Sequence, residues 1–256
     1  MWIHNLNPTL LNLGPLEIRY YGLVYILGFI ILTIWLVKFR NKINLTKDQA
    51  YDFSFYLMLG VILGSRLFHV LVWETAYYLA DPIKILYIWE GGMAFHGGLI
   101  GALVAGYFFC KKYKISLLKA ADLVSIPAVI VLALGRIANF INAELPGTVT
   151  SLPWCVDFGD SQCRHPVQIY SALKRFAVAG VLILLSRKHH KPGFIFFSMV
   201  ALLGLGRFLI DFYREDTLYL ALSIGQWSSL AMFIIGITTL IIKYKKEIKT
   251  IFVSFA

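Results

Sequence analysis

Charged residues are scarce in this sequence. Of its 256 residues, 15% are Asp, Glu, Lys or Arg, whereas 59% are hydrophobic, and the mean hydropathy is +0.71. A soluble domain carries about 25% charged residues and about 45–50% apolar residues. The composition therefore excludes a soluble globular domain and predicts an integral membrane protein.

Acidic residues are the scarcest charged class. The 14 Asp and Glu residues are outnumbered by 24 Lys and Arg residues, which gives a formal net charge of +10. Such an excess can mark a nucleic-acid-binding protein, but here long apolar runs separate the basic residues and no basic soluble domain is present. We therefore expect no nucleic-acid partner and attribute the charge to membrane topology.

Cysteine is also rare, with Cys110, Cys155 and Cys163 as the three examples. Their spacing does not fit a zinc site. Cys155 and Cys163 lie eight residues apart in a polar stretch, where a disulfide is feasible if that stretch lies outside the cell. The sequence leaves their pairing open.

Seven apolar segments predict membrane-spanning helices, because about 20 apolar residues cross a bilayer. They are residues 18–37, 53–73, 97–110, 121–142, 167–186, 193–213 and 225–243. The start "MWIHNLNPTL" lacks the basic region of a signal peptide, so we expect the first span to be retained. The stretch "PIKILYIWEGGMAF" before the short third span is expected to be interfacial or re-entrant. We predict an all-α polytopic protein with about seven spans, in which residues 1–256 form a single transmembrane domain.

The connections between spans alternate in charge. The basic connections are "KFRNKINLTKD", "KKYKISLLK", "RKHHK" and the tail "KYKKEIK", whereas "ETAYYLADPIK", residues 143–166 and "REDTLY" carry few Lys or Arg residues. The positive-inside rule then predicts an N-terminus outside and a C-terminus in the cytoplasm. Residues 143–166 become an extracytoplasmic loop.

With this orientation, the unusual polar residues of six spans fall at their outer ends. They are Arg19, Tyr21, Arg66, His96, Arg136, Arg164, His165, Gln168, Arg207 and Asp211. Ionised groups inside a membrane are costly and usually face a polar interior. We therefore predict a polar chamber in the outer half of the membrane.

The stretch "LGRIANFINAEL", residues 134–145, is the densest polar cluster in a span. Arg136, Asn139 and Asn142 recur every third residue, which predicts one helix face. The planar fork of Arg136 suits a phosphate, and the Asn amides can donate to oxygens or orient the arginine. Glu144 is expected to pair with an arginine or to end the helix. A purely structural network between packed helices is the alternative.

Two further motifs carry candidate residues. In "GGMAFHGGLIG", His96 can take or relay a proton near neutral pH, and Gly97 and Gly98 allow close approach of either a ligand or another helix. In "GRFLIDFYRED", Arg207 and Asp211 have the i, i+4 spacing of an intrahelical ion pair.

Three classes of function remain open at this point. Several arginines at one depth favour an enzyme acting on an anionic lipid, because phosphate in a low-dielectric site needs strong paired donors. A transporter for an anionic substrate would have a midplane site and often internal symmetry, and no convincing repeat is present. A receptor or structural membrane protein is the third class, since spans alone do not distinguish it.

At these motifs the sequence resembles the prolipoprotein diacylglyceryl transferase family. "GRIANFINAEL" followed by Gly147 is similar to the family signature "GR-x-GNFINGE". The segments "YYGLVYILGF", "GGMAFHGGLIG", "RHPVQIY" and "GRFLIDFYR" match in the same order. The resemblance covers essentially residues 14–240.

The resemblance implies an enzyme that transfers the diacylglyceryl group of phosphatidylglycerol to the lipobox cysteine of a prolipoprotein, without metal or cofactor. We expect a multi-pass protein of the cell membrane that is a monomer, although the sequence itself does not reveal the oligomeric state. A divergent transferase with another acceptor is the alternative. Family positions fall on Arg136 for the lipid phosphate, and on Tyr21, His96 and Arg207 for catalysis. Substrate-binding positions fall on Asn139, Asn142, Glu144, Gly147, Gly97, Gly98 and Asp211. We expect His96 to deprotonate the attacking thiol.

Departures from the family pattern lie close to these residues. Ala138 and Ala143 replace glycines of the signature, and an arginine expected directly after Gly147 is absent. Ser171 stands where Glu is typical, and Asp211 is shorter than the usual Glu. These departures leave Arg136 in place and bear on substrate preference.

Overall fold

The computed structural model describes residues 2–13 and 16–253. Most of these residues are helical, as the apolar runs predict. The helices are α1 (Tyr20–Phe39), α2 (Lys47–Phe68), α3 (Thr75–Ala80), α4 (Phe95–Lys112), α5 (Leu117–Ile141), α6 (Val167–Leu185), α7 (Phe194–Ile210), α8 (Ile224–Lys243) and α9 (Lys245–Val253). Short 3-10 turns follow α1 and α7, and a π-helical turn, His69–Trp73, follows α2.

The strands are short and form three two-stranded pairs among the described residues. They are β1 (Trp2–Ile3), β2 (Thr9–Leu13), β3 (Leu16–Arg19), β4 (Val156–Asp157), β5 (Leu218–Tyr219) and β6 (Leu222–Ser223). β1 runs parallel to β4, whereas β2 with β3 and β5 with β6 are antiparallel. The all-α polytopic class is thus confirmed.

Within the described residues, six helical segments are long and apolar enough to cross a membrane. They are Tyr20–Ile43, Lys47–Trp73, Leu117–Ile141, Val167–Leu185, Phe194–Tyr213 and Ile224–Lys243. Helix α4 is not among them in the described chain. It has only 18 residues, and His96 and its two C-terminal lysines lower their mean hydropathy. A span at α4 stays a prediction.

Helix α2 begins six residues before the expected start at residue 53. Thr46 accepts a hydrogen bond from the Gln49 backbone N–H, and the Gln49 side chain accepts one from the Thr46 backbone. This capping box satisfies two N–H groups that the helix start would otherwise leave unpaired. The polar first turn is therefore helical, although hydropathy does not reveal it.

A proline interrupts the hydrogen bonds of α5 without ending the helix. Pro127 cannot donate to the carbonyl four residues earlier, which belongs to Leu123. The indole N–H of Trp35 donates to that carbonyl at 3.0 Å. The freed acceptor is thus satisfied, as backbone at membrane depth requires.

The chain forms two compact units. The first contains residues 1–31 and 124–256, and the second contains residues 32–123. In the second, α2 packs on α4 through glycines; a Cβ on Gly101 would overlap the carbonyl of Gly60. In the first, α7 packs on α8 in the same manner, with Gly204 against the backbone of Ser229. Membrane helices lack a hydrophobic driving force for association, so they associate through close packing, which small residues allow.

Candidate functional site

The end of α5 is a Schellman motif. The N–H of Glu144 donates to the carbonyl of Asn139 at 2.9 Å, and the N–H of Ala143 donates to that of Phe140 at 3.0 Å. Ala143 adopts the left-handed conformation with φ +55°, which this motif requires and glycine usually provides. The helix therefore ends at Ile141, and Asn142 belongs to the turn rather than to the expected helix face.

This turn gathers the polar side chains of the signature into one chain of hydrogen bonds. Arg136 Nη1 donates to Asn139 Oδ1 at 3.4 Å, and Asn139 Nδ2 donates to Glu144 Oε2 at 2.6 Å. Asn142 Nδ2 donates to the other Glu144 oxygen at 3.0 Å. Glu144 thus pairs with amides rather than directly with an arginine. The remaining guanidinium N–H groups of Arg136 have no hydrogen bond to a described residue.

Gly147 lies where three backbone segments cross. Its N–H donates to the carbonyl of His165 at 3.0 Å, and it bridges to Arg214. A Cβ at this position would come within 2.7 Å of the His165 carbonyl and of the Val167 side chain. Glycine is therefore required here by close approach.

The predicted ion pair on α7 is present. Arg207 Nε lies 3.3 Å from Asp211 Oδ2, and Arg214 Nη1 lies 3.8 Å from the other Asp211 oxygen. The Asp211 side chain is 4% exposed, whereas that of Arg207 is 40% exposed. One buried carboxylate thus orients two arginines, and one of these is open to a ligand.

These residues line a pocket in the first unit together with two cations that the sequence reasoning missed. Lining residues are Arg136, Leu145, Val167, Gln168, Ser171, Lys174, Arg175, Arg207, Asp211 and Arg214. Five cationic side chains and one carboxylate therefore share about 320 Å³ of space, including the part open to the outside. The missed signal was "LKR" inside an apolar span, since cations at such a position are rare and functional.

Tyr21 also belongs to the first unit. It lies in the first turn of α1, 6.0 Å from the ring of Tyr25, and its side chain is partly exposed. Its phenol lies within electrostatic range of Arg136.

The segment after Gly147 is held by ion pairs and a disulfide. Cys155 and Cys163 are bonded, with Cα atoms 5.2 Å apart. Arg164 contacts Asp160 at 2.5 Å and Glu215 at 2.9 Å, and its hydrogen bond holds the pKa of the Asp160 carboxyl below its usual range. Burial lowers the pKa of His165. Arg164 thus fastens the loop, although the sequence allowed it to face a chamber.

His96 and its glycines lie in the second unit. The His96 ring is exposed and lies 6.3 Å from that of Phe68. Gly97 and Gly98 are buried against α2; a Cβ on Gly97 would overlap the Gly64 carbonyl, and one on Gly98 would lie 2.5 Å from Ser65 Oγ. The glycines therefore act in helix packing, which was one of the two expectations.

Arg66 differs from the expectation that it faces a polar chamber. Its guanidinium donates to five backbone carbonyls in the segment before α4, at 2.5–3.3 Å. It also stacks on Tyr78, 5.0 Å from the ring centre. Gly91 and Gly92 have positive φ and present two of these carbonyls. Arg66 therefore organises irregular backbone and has its donors occupied.

Comparison with known proteins gives consistent matches along the chain. The profile of the prolipoprotein diacylglyceryl transferase family matches residues 8–242. The chain is 39% identical to a phosphatidylglycerol–prolipoprotein diacylglyceryl transferase of Geobacter sulfurreducens, over 97% of this chain and 99% of the relative. It is 42% identical to the protein of that name from Cupriavidus necator, over 96% of each chain. The Wolbachia pipientis protein of the same name is 40% identical, over 91% of this chain and 93% of the relative.

Proposed function

This chain belongs to the prolipoprotein diacylglyceryl transferase family, and we propose that it transfers the diacylglyceryl group of phosphatidylglycerol to a prolipoprotein. The observation that carries the proposal is the cationic pocket around Arg136 and Arg207. A phospholipid headgroup supplies the anion that such a pocket needs.

The reaction is a substitution at carbon. The thiolate of the lipobox cysteine attacks the glycerol CH2 of the diacylglyceryl group, the carbon–oxygen bond to phosphate breaks, and its electron pair stays on the phosphate oxygen. Glycerol phosphate leaves, and the thiol proton passes to a base. Thiolate is the effective nucleophile, and stabilising the charge on the leaving phosphate lowers the barrier.

Arg136 and Arg207 hold the phosphate in this proposal. Both have guanidinium groups at the pocket, and each is oriented by a polar partner, Asn139 for Arg136 and Asp211 for Arg207. Preorganised donors require little rearrangement during the reaction. Glu144 fixes Asn139 in turn, and Asn142 and Gly147 maintain the turn on which this geometry depends.

His96 takes the thiol proton, directly or through water. Its imidazole ring is exposed, so it can reach a thiol, and imidazole is the commonest general base in enzymes. Tyr21 orients the lipid phosphate. Gly97 and Gly98 place His96 by letting the start of α4 pack directly on α2.

The proposed setting is the cell membrane, with a single domain over residues 1–256. The N-terminus lies outside, the C-terminus lies in the cytoplasm, and residues 143–166 form an extracytoplasmic loop that contacts the precursor. The alternation of basic connections supports this orientation, and a disulfide within the loop suits an oxidising compartment. We propose that the protein is a monomer.

The test is reconstitution of the purified protein with phosphatidylglycerol and a peptide containing a lipobox cysteine. Mass analysis should detect a diacylglyceryl increment on the peptide, and Arg136→Ala should lower the rate by about 10³-fold through loss of charge stabilisation. In a separate variant, His96→Gln should abolish most of the transfer activity of the wild-type protein. Full activity of this variant would exclude the base role.

Two outcomes would contradict the function itself. One is the absence of any increment under conditions where the Geobacter relative modifies the same peptide. The other is flux of an anionic solute through the proteoliposomes, which would indicate transport. Replacing the lipobox cysteine by serine provides the control for acceptor chemistry.

A further inference from the structure

The candidate pocket contains more positive charge than a phosphodiester requires. Its five cations are opposed within the lining by Asp211, whereas a phosphodiester carries one negative charge. Arg207 and Arg214 both contact Asp211, and Arg136 contacts Asn139. Lys174 and Arg175 are therefore left without a carboxylate partner.

Both side chains are built into the protein rather than loosely exposed. Arg175 is 8% exposed, and its Nη1 donates to the carbonyl of Ser171 at 3.0 Å. Its Nε is buried and has no hydrogen-bond partner among the described residues. Burying such a donor unpaired is costly, so Arg175 keeps hydrogen-bonding capacity that the described residues leave unused.

Lys174 is held in place by a close backbone approach. Its aliphatic stem crosses Gly206, where a Cβ would overlap it. The structure describes no hydrogen bond or ion pair for its ammonium group within residues 2–13 and 16–253. Because Lys174 lines the same pocket as Arg175, the two cations face the same candidate ligand.

The reaction proposed above creates a second negative charge on the phosphate group that leaves. A phosphodiester has one negative charge, and the glycerol phosphate that leaves has two once the carbon–oxygen bond has broken. Resting on that proposed function, we propose that Lys174 and Arg175 form an anion subsite that binds the second charge of the leaving phosphate. Such contacts strengthen along the reaction and therefore raise kcat more than they lower KM.

Ser171 stands where the family pattern has Glu, so this subsite lacks a negative charge that a glutamate would bring. It lies one helical turn before Arg175, and it lines the pocket with a neutral side chain. A carboxylate here would neutralise one of the two cations. Ser171→Glu therefore tests the charge balance without removing either cation.

The experiment measures binding of two soluble probes to the full-length protein in detergent. Glycerol phosphate represents the dianion at pH 8, since the second pKa of a phosphate monoester is about 6. Glycerophosphoglycerol represents the phosphodiester monoanion with the same glycerol groups. Calorimetric titration should give wild-type protein an affinity for glycerol phosphate about tenfold higher than for glycerophosphoglycerol.

The variants remove charge while keeping shape. Lys174→Met retains the stem over Gly206, and Arg175→Gln retains an amide donor for the Ser171 carbonyl. Each should weaken glycerol phosphate binding by about tenfold and glycerophosphoglycerol binding by less than about twofold. In the transfer assay, each should lower kcat by about tenfold with KM nearly unchanged. Lys119→Met, at an exposed lysine, is the matched control and should leave both affinities unchanged.

The outcomes separate this inference from the proposed function. Equal losses for both probes, or no preference for glycerol phosphate in the wild-type protein, would overturn the subsite. Selective loss of dianion binding in a protein without transfer activity would uphold the subsite and reject the proposed reaction. Thermal unfolding of each variant establishes that it is folded, and Ser171→Glu supplies the same test in a chain that keeps both cations.

Discussion

Arg66 and Arg175 are both buried arginines in apolar helices, yet their guanidinium N–H groups differ in how many acceptors they meet. Arg66 is 5% exposed and gives its N–H groups to five backbone carbonyls. Arg175 is 8% exposed, gives one N–H to a carbonyl of its own helix, and keeps Nε unpaired. A cation in a membrane helix is therefore either structural or available for a ligand, depending on which acceptors its N–H groups reach.

The largest effect is expected from Arg66→Met. Removing this guanidinium leaves five partly buried backbone carbonyls without their donor, which should lower the free energy of unfolding by about 3 kcal/mol or more. Arg175→Met removes an unpaired donor instead and should leave the unfolding temperature unchanged or higher. Thermal unfolding in detergent measures both variants. Similar destabilisation by both substitutions would contradict the conclusion that Arg66 is structural whereas Arg175 is available for a ligand.

Much of the fold was predictable because hydrophobic length is a local signal. The observed helices lie within a few residues of the predicted spans, and the Arg207–Asp211 pair follows directly from i, i+4 spacing. The early start of α2 was missed because its polar capping turn contributes no hydropathy.

The candidate site was only partly predictable, because the partner of a polar group is a tertiary property. Arg66 and Arg136 look alike in sequence, but only Arg66 meets the carbonyls of an irregular segment. Lys174 and Arg175 carried a usable signal, since two adjacent cations lie inside an apolar run. Both residues lie outside the recognised motifs, so motif comparison does not select them.

A smaller effect is expected from protonation of His165, which lies beside Gly147 on the side of the pocket. Burial lowers its pKa, so the folded state disfavours the charged ring. Its contribution to stability is fully present above the ordinary pKa of about 6.5. Between that value and the lowered folded pKa, the unfolded chain binds a proton that the folded chain does not, so stability falls as the pH falls.

Unfolding temperatures between pH 8 and pH 5 test this sign. The His165→Asn variant should lose less stability on acidification than the wild-type protein does. His189→Asn alters an exposed histidine and should reproduce the wild-type profile. A wild-type profile for His165→Asn would mean that burial does not lower the pKa of His165.

The smallest effect is expected at Ala143, where the turn beside Arg136 holds an L-residue at φ +55°. Ala143→Gly relieves about 1 kcal/mol of backbone strain but increases the conformational entropy of the unfolded chain. The net gain in stability should be about 0.5 kcal/mol, or about 1–2 °C in unfolding temperature.

Ala138→Gly is the matched control for Ala143→Gly, because Ala138 is a buried residue inside α5. A glycine there lacks the strain to relieve and should cost about 1 kcal/mol. Opposite signs for the two substitutions would assign the strain to the Schellman turn, which holds Glu144 against Asn139. The same sign for both would show that Ala143 is not strained. The turn beside the pocket would then be free of backbone strain at Ala143.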